Sequence, residues 1–402
     1  MKRRLWWAVC LVSVFVVLAV MVLPGCGGDG GDGGGDGEVN TVNWGWIYDF
    51  TGRAATAVKP MYDGARDFLH YAAETGQIPD GIEIKMDTFD TQGDSGKVPG
   101  GYVYLRDRGM DVLEIAAYQY ELILDQSRTD GVPSLNTHNQ LNQLGLDTQI
   151  SLYGANEHAQ ELVLNYIMNT WDYSGGLPKV GMVLYSGVSN YEVRRDFDAA
   201  YCAEHADKLN WIGAQAAPIG TTVWAAQVER LKDADYVIPV VSGAPLANFV
   251  KEMQGAGFDG VFIHDQDLLG HWSQVLAQVD KDYLDGTIVV CWLQWWSETT
   301  EWMTTMKEYS QKYNTAPEYA GYKLGSGYQT GWGAAEALLE AVRIAIQDVG
   351  AANVDGPALM ESMMKIDLEV PGYGNTWKVA EGYHQLIHGC VAYEYRVAAG
   401  DY

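Results

Sequence analysis

An α/β fold of two doubly wound, Rossmann-like parallel-sheet lobes is predicted for this chain of 402 residues on three observations. Short apolar runs alternate with amphipathic segments from residue 39 onward. The runs lack the in–out alternation of a half-exposed strand, as strands covered on both faces do. The alternation comes in two successive series with like openings: VNWGWIYDFTG and PKVGMVLYSGVSN each lead an apolar strand into a Gly/Ser/Thr turn and then a helix. Finally, the roughly 360 residues beyond residue 38 exceed the size at which one hydrophobic core keeps growing, so two lobes are expected.

In the first series, strands are expected at residues 42–48, 82–86, 111–116 and 132–135, where Val, Ile and aromatic side chains cluster. Between them lie helical stretches at 61–74, 96–108 and 120–128. The second series has strands at 180–185, 211–214, 236–241, 260–263 and 286–291, with helices at 158–171, 191–205, 223–232, 245–255 and 268–279. Helical segments then return at 298–312 and 331–349. The second of these places Ala334, Ala335, Leu338, Leu339, Val342 and Ile346 on one face, and Gly350 is placed to end it. A Gly-rich stretch at 371–375 precedes two last strand-like runs, 376–379 and 389–396. The expected division is 39–155 with 288–370 for lobe one and 156–287 with 371–402 for lobe two, which makes a hinge of three crossings.

The first 38 residues obey another logic. Lys2, Arg3 and Arg4 precede an uncharged run from Leu5 to Leu23, long enough to span a bilayer as a helix. It reads either as a permanent anchor or as a secretory signal peptide. The tetrad Leu23-Pro24-Gly25-Cys26 resembles the lipobox of bacterial lipoproteins. That resemblance implies removal of residues 1–25, lipidation of Cys26 and an extracytoplasmic protein anchored to the cell membrane. Residues 27–37 are Gly and Asp only and cannot bury enough apolar area to offset the entropy of ordering. Residues 26–38 thus read as a flexible tether with a reach of about 20 Å, and stable anchoring needs more than one acyl chain.

Without the three basic residues of the signal segment, 23 Lys and Arg stand against 52 Asp and Glu, a net charge of −29. Such a surface argues against nucleic acid and anionic headgroups as partners. Cys10 lies in the signal segment and Cys26 is the lipidation site. That leaves Cys202, Cys291 and Cys390, whose spacings match no zinc motif. Isolated buried thiols are expected.

In open α/β sheets ligands bind beyond the carboxyl ends of the strands. The turns there (48–52, 87–94, 117–120, 136–140, 186–191, 242–244 and 264–267) are rich in donors, acceptors and phenols. Arg53 is the one cation close to them. No GxSxG elbow, P-loop or HExxH occurs, and a GxGxxG match falls only inside the tether, with no strand before it. Asp265 and Asp267 together have the makings of an acid–base pair for a hydrolase; the plainer reading is a solvated loop, with Asp267 capping a helix from Leu268. His138 and His264 lack a partner at metal-ligand spacing and read as hydrogen-bonding residues. The Asp-rich turn at 87–94 lacks the glutamate spacing of an EF-hand. No cofactor, metal or catalytic residue is expected. Trp292, Trp295 and Trp296 read as core or hinge packing, with cleft lining as the alternative.

The order of these pieces resembles the extracytoplasmic solute-binding proteins of branched-chain amino acid ABC transporters, a type I periplasmic-binding-protein fold. The resemblance rests on Phe50-Thr51-Gly52 followed by Tyr62-Asp63-Gly64-Ala65, on Phe89 to Asp94, on Gly131-Val132-Pro133, and on Val228 to Lys232 followed by Asp235 to Ile238. It implies a ligand held between the lobes. Thr51, Tyr118, Gln119, His138 and Gln140 would line it from lobe one, and Tyr191 would close over it from lobe two. The family's ammonium-binding acid falls at Gln266, flanked by Asp265 and Asp267, and a stacking aromatic falls at Ala57. A buried ammonium needs a charged or multiply bonded acceptor, so Gln266 at that position weakens recognition of an amino acid unless Asp265 or Asp267 substitutes. The implied function is capture of a small polar or amphipathic solute, an amino acid or related compound, by a monomer that delivers it to an ABC-transporter permease. A ligand-sensing receptor subunit of the same fold is the alternative.

Overall fold

The computed structural model describes residues 39–137, 145–371, 373, 376–379, 384–387 and 390–397. The signal segment, Cys26, the tether, His138 and Gln140 lie outside the described residues. Strands β1 (Asn40–Tyr48), β2 (Ile82–Asp90), β3 (Val112–Ile115), β4 (Ser134–Asn136) and β5 (Gln149–Ser151) form one sheet in the order β2-β1-β3-β4-β5. Every pairing in it is parallel. Strands β6 (Lys179–Ser186), β7 (Asn210–Pro218), β8 (Tyr236–Val240), β9 (Val261–Asp265) and β10 (Ile288–Cys291) repeat that winding as β7-β6-β8-β9-β10. A small ribbon pairs β11 (Asp367–Glu369) with β12 (Thr376–Lys378), and β13 (Val391–Glu394) adds antiparallel to β10. Each sheet changes direction beside its first strand, which opens a crevice at the carboxyl ends there. The likeness of the two strand openings in sequence thus has a counterpart in topology.

The helices connecting these strands are α1 (Ala55–Glu74), α2 (Val98–Arg106), α3 (Ala117–Tyr120), α4 (Leu124–Asp130), α5 (Asn156–Thr170), α6 (Ser189–Glu204), α7 (Ala225–Leu231), α8 (Ala244–Gly255), α9 (Gln266–Leu269) and α10 (Trp272–Leu276). After them come α11 (Glu301–Tyr313), α12 (Gly327–Val349) and α13 (Gly356–Met363). Two expected helices are divided. The 120–128 stretch becomes α3 and α4, and the 268–279 stretch becomes α9 and α10, broken at Gly270 and His271. Because α9 starts at Gln266, Asp267 lies within the helix and does not cap one beginning at Leu268. Strand β5 had no sequence signal, since Gln149 and Ser151 are polar. They are buried nonetheless, and Gln149 is satisfied by the Asn136 amide at 3.2 Å.

Two lobe boundaries differ from expectation. Residues 288–291, expected with the first lobe, are β10 of the second sheet, paired on both sides by β9 and β13. Trp377, Leu386 and Ile387, expected with the second lobe, pack in the core of the first. Trp377 sits edge-on to Trp302 and Tyr373, and Leu386 N–H donates to the Ser151 carbonyl at 3.0 Å. The second crossing therefore follows residue 291, and the third lies between residues 387 and 391. Cys202, Cys291 and Cys390 are free thiols, the first two buried.

The first lobe is organised around α12 lying on α1. The two backbones touch: a Cβ at Gly331 would stand 1.7 Å from the Met61 carbonyl oxygen, and one at Gly64 would stand 2.1 Å from that of Tyr328. Asp67, fully buried on α1, accepts from the Tyr328 hydroxyl of α12 at 2.9 Å. Partly buried Glu336, also on α12, accepts from the Trp302 indole at 2.8 Å, and burial pushes its carboxyl up to about 7 from 4.5.

Two outcomes are expected. Gly331→Ala gains up to about 1 kcal/mol of helix propensity but forces the helices apart. We expect a net loss of about 2 kcal/mol or more, read from the midpoint of urea unfolding. For Glu336 the folded value is the higher one, so its contribution to stability is fullest below pH 4.5 and is lost as pH rises through 7. Glu336→Gln keeps the acceptor and removes the titration. It should leave the melting temperature unchanged at pH 4.5 and raise it by about 2 °C or more at pH 8.

Candidate functional site

The carboxyl ends of the two sheets enclose a cavity of about 160 Å³. From the first sheet come Tyr48 and Asp49 after β1, Ala116, Tyr118 and Gln119 after β3, Thr137 after β4 and Tyr153 after β5. The second contributes Val188, Asn190 and Tyr191 after β6, Ser242 after β8, and Gly270 and His271 after β9. The first turns of α1 and α12 complete it with Arg53, Ala54, Ala57, Val58, Ser326 and Thr330.

Tyr118, Gln119 and Tyr191 face this cavity, as their place after β3 and β6 implied. Gln119 is buried and donates to Ser95 Oγ at 3.4 Å. Tyr191 stacks on Tyr185, centroids 6.5 Å apart. Thr51 does not line the cavity: its hydroxyl donates to Asp90 at 2.5 Å, and Asp90 also accepts from Phe50 N–H at 3.0 Å. Thr51 therefore shapes the turn that carries Arg53.

The acidic cluster is placed differently from the resemblance. Asp265 is 1 % exposed, lies behind the wall of the cavity, and pairs with Arg194 of α6. Arg194, which does line the cavity, also donates to Asn156 Oδ1. Gln266 is equally buried and serves the hinge: its Oε1 accepts from the Trp292 and Leu293 amides at 2.8 and 2.9 Å, and its carbonyl accepts from Ser326 Oγ at 2.8 Å. Of the Asp267 side chain nothing is described. An acid–base pair built on Asp265 has no access to a substrate. Trp292 and Trp295 are buried, in the first and second core respectively. Neither lines the main cavity.

The electrostatics follow burial. Glu114, fully buried on β3, accepts from the Tyr48 hydroxyl at 3.0 Å. Burial pushes its carboxyl well above the ordinary range, with the Tyr48 bond opposing. Asp198, one helical turn beyond Arg194, is also pushed well up by burial; Arg194 opposes and Asp265 reinforces. His264 is buried against Trp272 and burial lowers it to about 4. It is a neutral core residue. Among the described residues no group of His, Cys, Asp and Glu is arranged to hold a metal.

Sequence reasoning missed Arg194, Tyr153, Ser326 and Thr330. Arg194 had a signal, because it falls three to four residues after Asn190 and Tyr191 on one helical face. Tyr153, Ser326 and Thr330 had none, since they reach the cleft only through the hinge crossings and the start of α12.

The sequence profile of the family described as periplasmic binding protein matches residues 41–401. No curated protein sequence matches the chain. Among solved structures it is similar to a branched-chain amino acid ABC transporter protein from Thermus thermophilus with bound valine. The TM-score is 0.76 and the identity 17 %, over 89 % of this chain and 94 % of that one. It is also similar to a solute-binding protein from R. palustris in complex with benzoate, with TM-score 0.72 and 14 % identity over 89 % and 94 %. A third is a fatty acid ABC transporter substrate-binding protein from Thermomonospora curvata, with TM-score 0.71 and 16 % identity over 85 % and 86 %. The twice-repeated winding, the cleft between strand ends and a profile match spanning both lobes lead to one conclusion: the chain belongs to the periplasmic binding protein family.

Proposed function

We propose that this chain is the solute-capturing component of an ABC importer, held outside the cell membrane through lipidated Cys26 and the Gly/Asp tether. It works as a monomer that closes on a small polar or amphipathic solute and presents it to a permease. The observation that carries this reading is the cavity walled by turns from both sheets. Contacts between the two sides close the cleft around it, among them Gln274 of α10 donating to Thr56 of α1 at 3.1 Å and a close approach of Gly243, where a Cβ would stand 3.3 Å from the Arg53 carbonyl. Such contacts break and re-form as lobes hinge. The solutes named for similar proteins (valine, benzoate, fatty acid) are all small or amphipathic carboxylates. The tether suits delivery, since it lets a strongly acidic body stand off a membrane.

Thermal-shift screening of the full-length chain in neutral-lipid nanodiscs, against amino acids, short amides, aromatic acids and purines, tests the reading. A solute at 100 times its dissociation constant should add about 2.7 kcal/mol of stability. No shift with any class would overturn it. With the solute so found, Tyr191→Ala should weaken binding at least tenfold at unchanged melting temperature of the free protein; unaltered affinity by calorimetry removes Tyr191 from the site. Solute uptake on co-expression with a permease separates transport from sensing.

A further inference from the structure

If the cavity captures a solute as proposed above, its chemistry restricts the class, and we infer that the solute is a small organic anion with one carboxylate, a compact apolar body and no ammonium group. Three long helices, α1, α6 and α12, begin at the cavity wall, through Arg53 and Ala54, Asn190 and Tyr191, and Ser326 and Thr330. Helix starts carry partial positive charge; α1 meets the Asp49 carboxylate at Ala54 and α6 carries Glu192, whereas α12 has no acidic residue in its first turn. The second observation is Asn190. It is 5 % exposed and lines the cavity, and the oxygen of its amide, Oδ1, is buried without a hydrogen-bond partner. The two ends of an amide are interchangeable by rotation, so this group can turn its NH₂ toward a bound carboxylate. Arg53 stands at the mouth and makes no ion pair among the described residues.

The carboxylates an ammonium would need, and the glutamine at the family's acid position, are engaged. Asp49 is the sole carboxylate among the described lining residues, and its two oxygens already accept from the Gly52 and Ala54 amides. Asp265 is held by Arg194, and Gln266 Oε1 by two hinge amides. An ammonium buried here would lose its hydration without an ionic partner. The apolar part of the wall, Ala54, Ala57, Val58, Met61, Ala116 and Val188, suits a hydrocarbon body. A cavity of 160 Å³ is close to the roughly 150 Å³ that accommodates benzene, which sets the body at one ring or a short branched chain.

The test uses matched pairs in calorimetric titrations of the full chain in neutral-lipid nanodiscs: isovalerate against valine and isovaleramide, and benzoate against benzamide. A carboxylate should bind at least tenfold more tightly than its amide, and isovalerate at least tenfold more tightly than valine. Arg53→Gln should reduce carboxylate affinity at least tenfold and leave the amides unchanged, with Arg53→Lys recovering part of the loss. Valine equal to or tighter than isovalerate overturns the inference while the capture reading stands. So does a neutral or zwitterionic solute from the wider screen that binds where no carboxylate does. Carboxylate affinity indifferent to Arg53→Gln removes Arg53 from the inference and overturns it. No binding of any solute class overturns the capture reading along with it.

Discussion

A carboxyl buried near the end of a central strand is either pushed toward its neutral form, as Glu114 of β3 is, or finds a cation, as Asp265 at the end of β9 finds Arg194. Both side chains are 2 % exposed. A pair at that depth is costly to assemble, and removing one partner leaves an uncompensated charge, at about 3–5 kcal/mol. The pair therefore dictates the rotation of α6 on its sheet. With Arg194 aimed at Asp265, Asn190 and Tyr191 one turn earlier must face the cleft, and Asp198 one turn later is carried into the interior. Asn156, the first residue of α5, is recruited to the same guanidinium. One ion pair thus ties the strand end, two helix starts and the wall of the cavity into a unit.

The hinge is under a related constraint. A chain that passes between lobes inside the protein has backbone amides that no sheet satisfies. Gln266 supplies the acceptor for two of them, at Trp292 and Leu293, and the Tyr373 hydroxyl donates to the Trp292 carbonyl at 2.6 Å. Trp292 stacks on Tyr153, interplanar angle 9°, so the second crossing rests on the first. A glutamine serves here where an acid would not, because an acid could serve the two amides only by burying a charge. The same side chain that departs from the family's ligand pattern is the one the hinge uses.

Aromatic rings fill the first lobe in two sets. Trp302, Tyr373 and Trp377 form an edge-to-face set under the ribbon. Tyr71 and Phe68 flank Trp332 where α1 meets α12. Glycines bring those two helices into backbone contact, and the rings fill the space on either side. In the cavity, Tyr48, Tyr118, Tyr153 and Tyr191 present aromatic rings, the Tyr48 hydroxyl being taken up by Glu114.

The sequence by itself determined the class of fold, because apolar period, strand-to-helix alternation and chain length are local properties and each pointed the same way. Parallel sheets send every strand's carboxyl end to one edge, and Tyr118, Gln119 and Tyr191 were legible as cavity lining for that reason, although no described residue of the turns at 87–94 and 264–267 lines it. The tertiary structure alone decided how charges are spent. Nothing local distinguishes Asp265, which neutralises an arginine, from an acid waiting for a ligand, or Gln266 of the hinge from a ligand-binding glutamine. It also decided where lobes begin and end: β5 is polar, β10 reads like any apolar strand, and Trp377 joins a core more than 200 residues away from β1. Those outcomes depend on partners distant in sequence, and pairing energies between distant residues leave no mark on a local pattern.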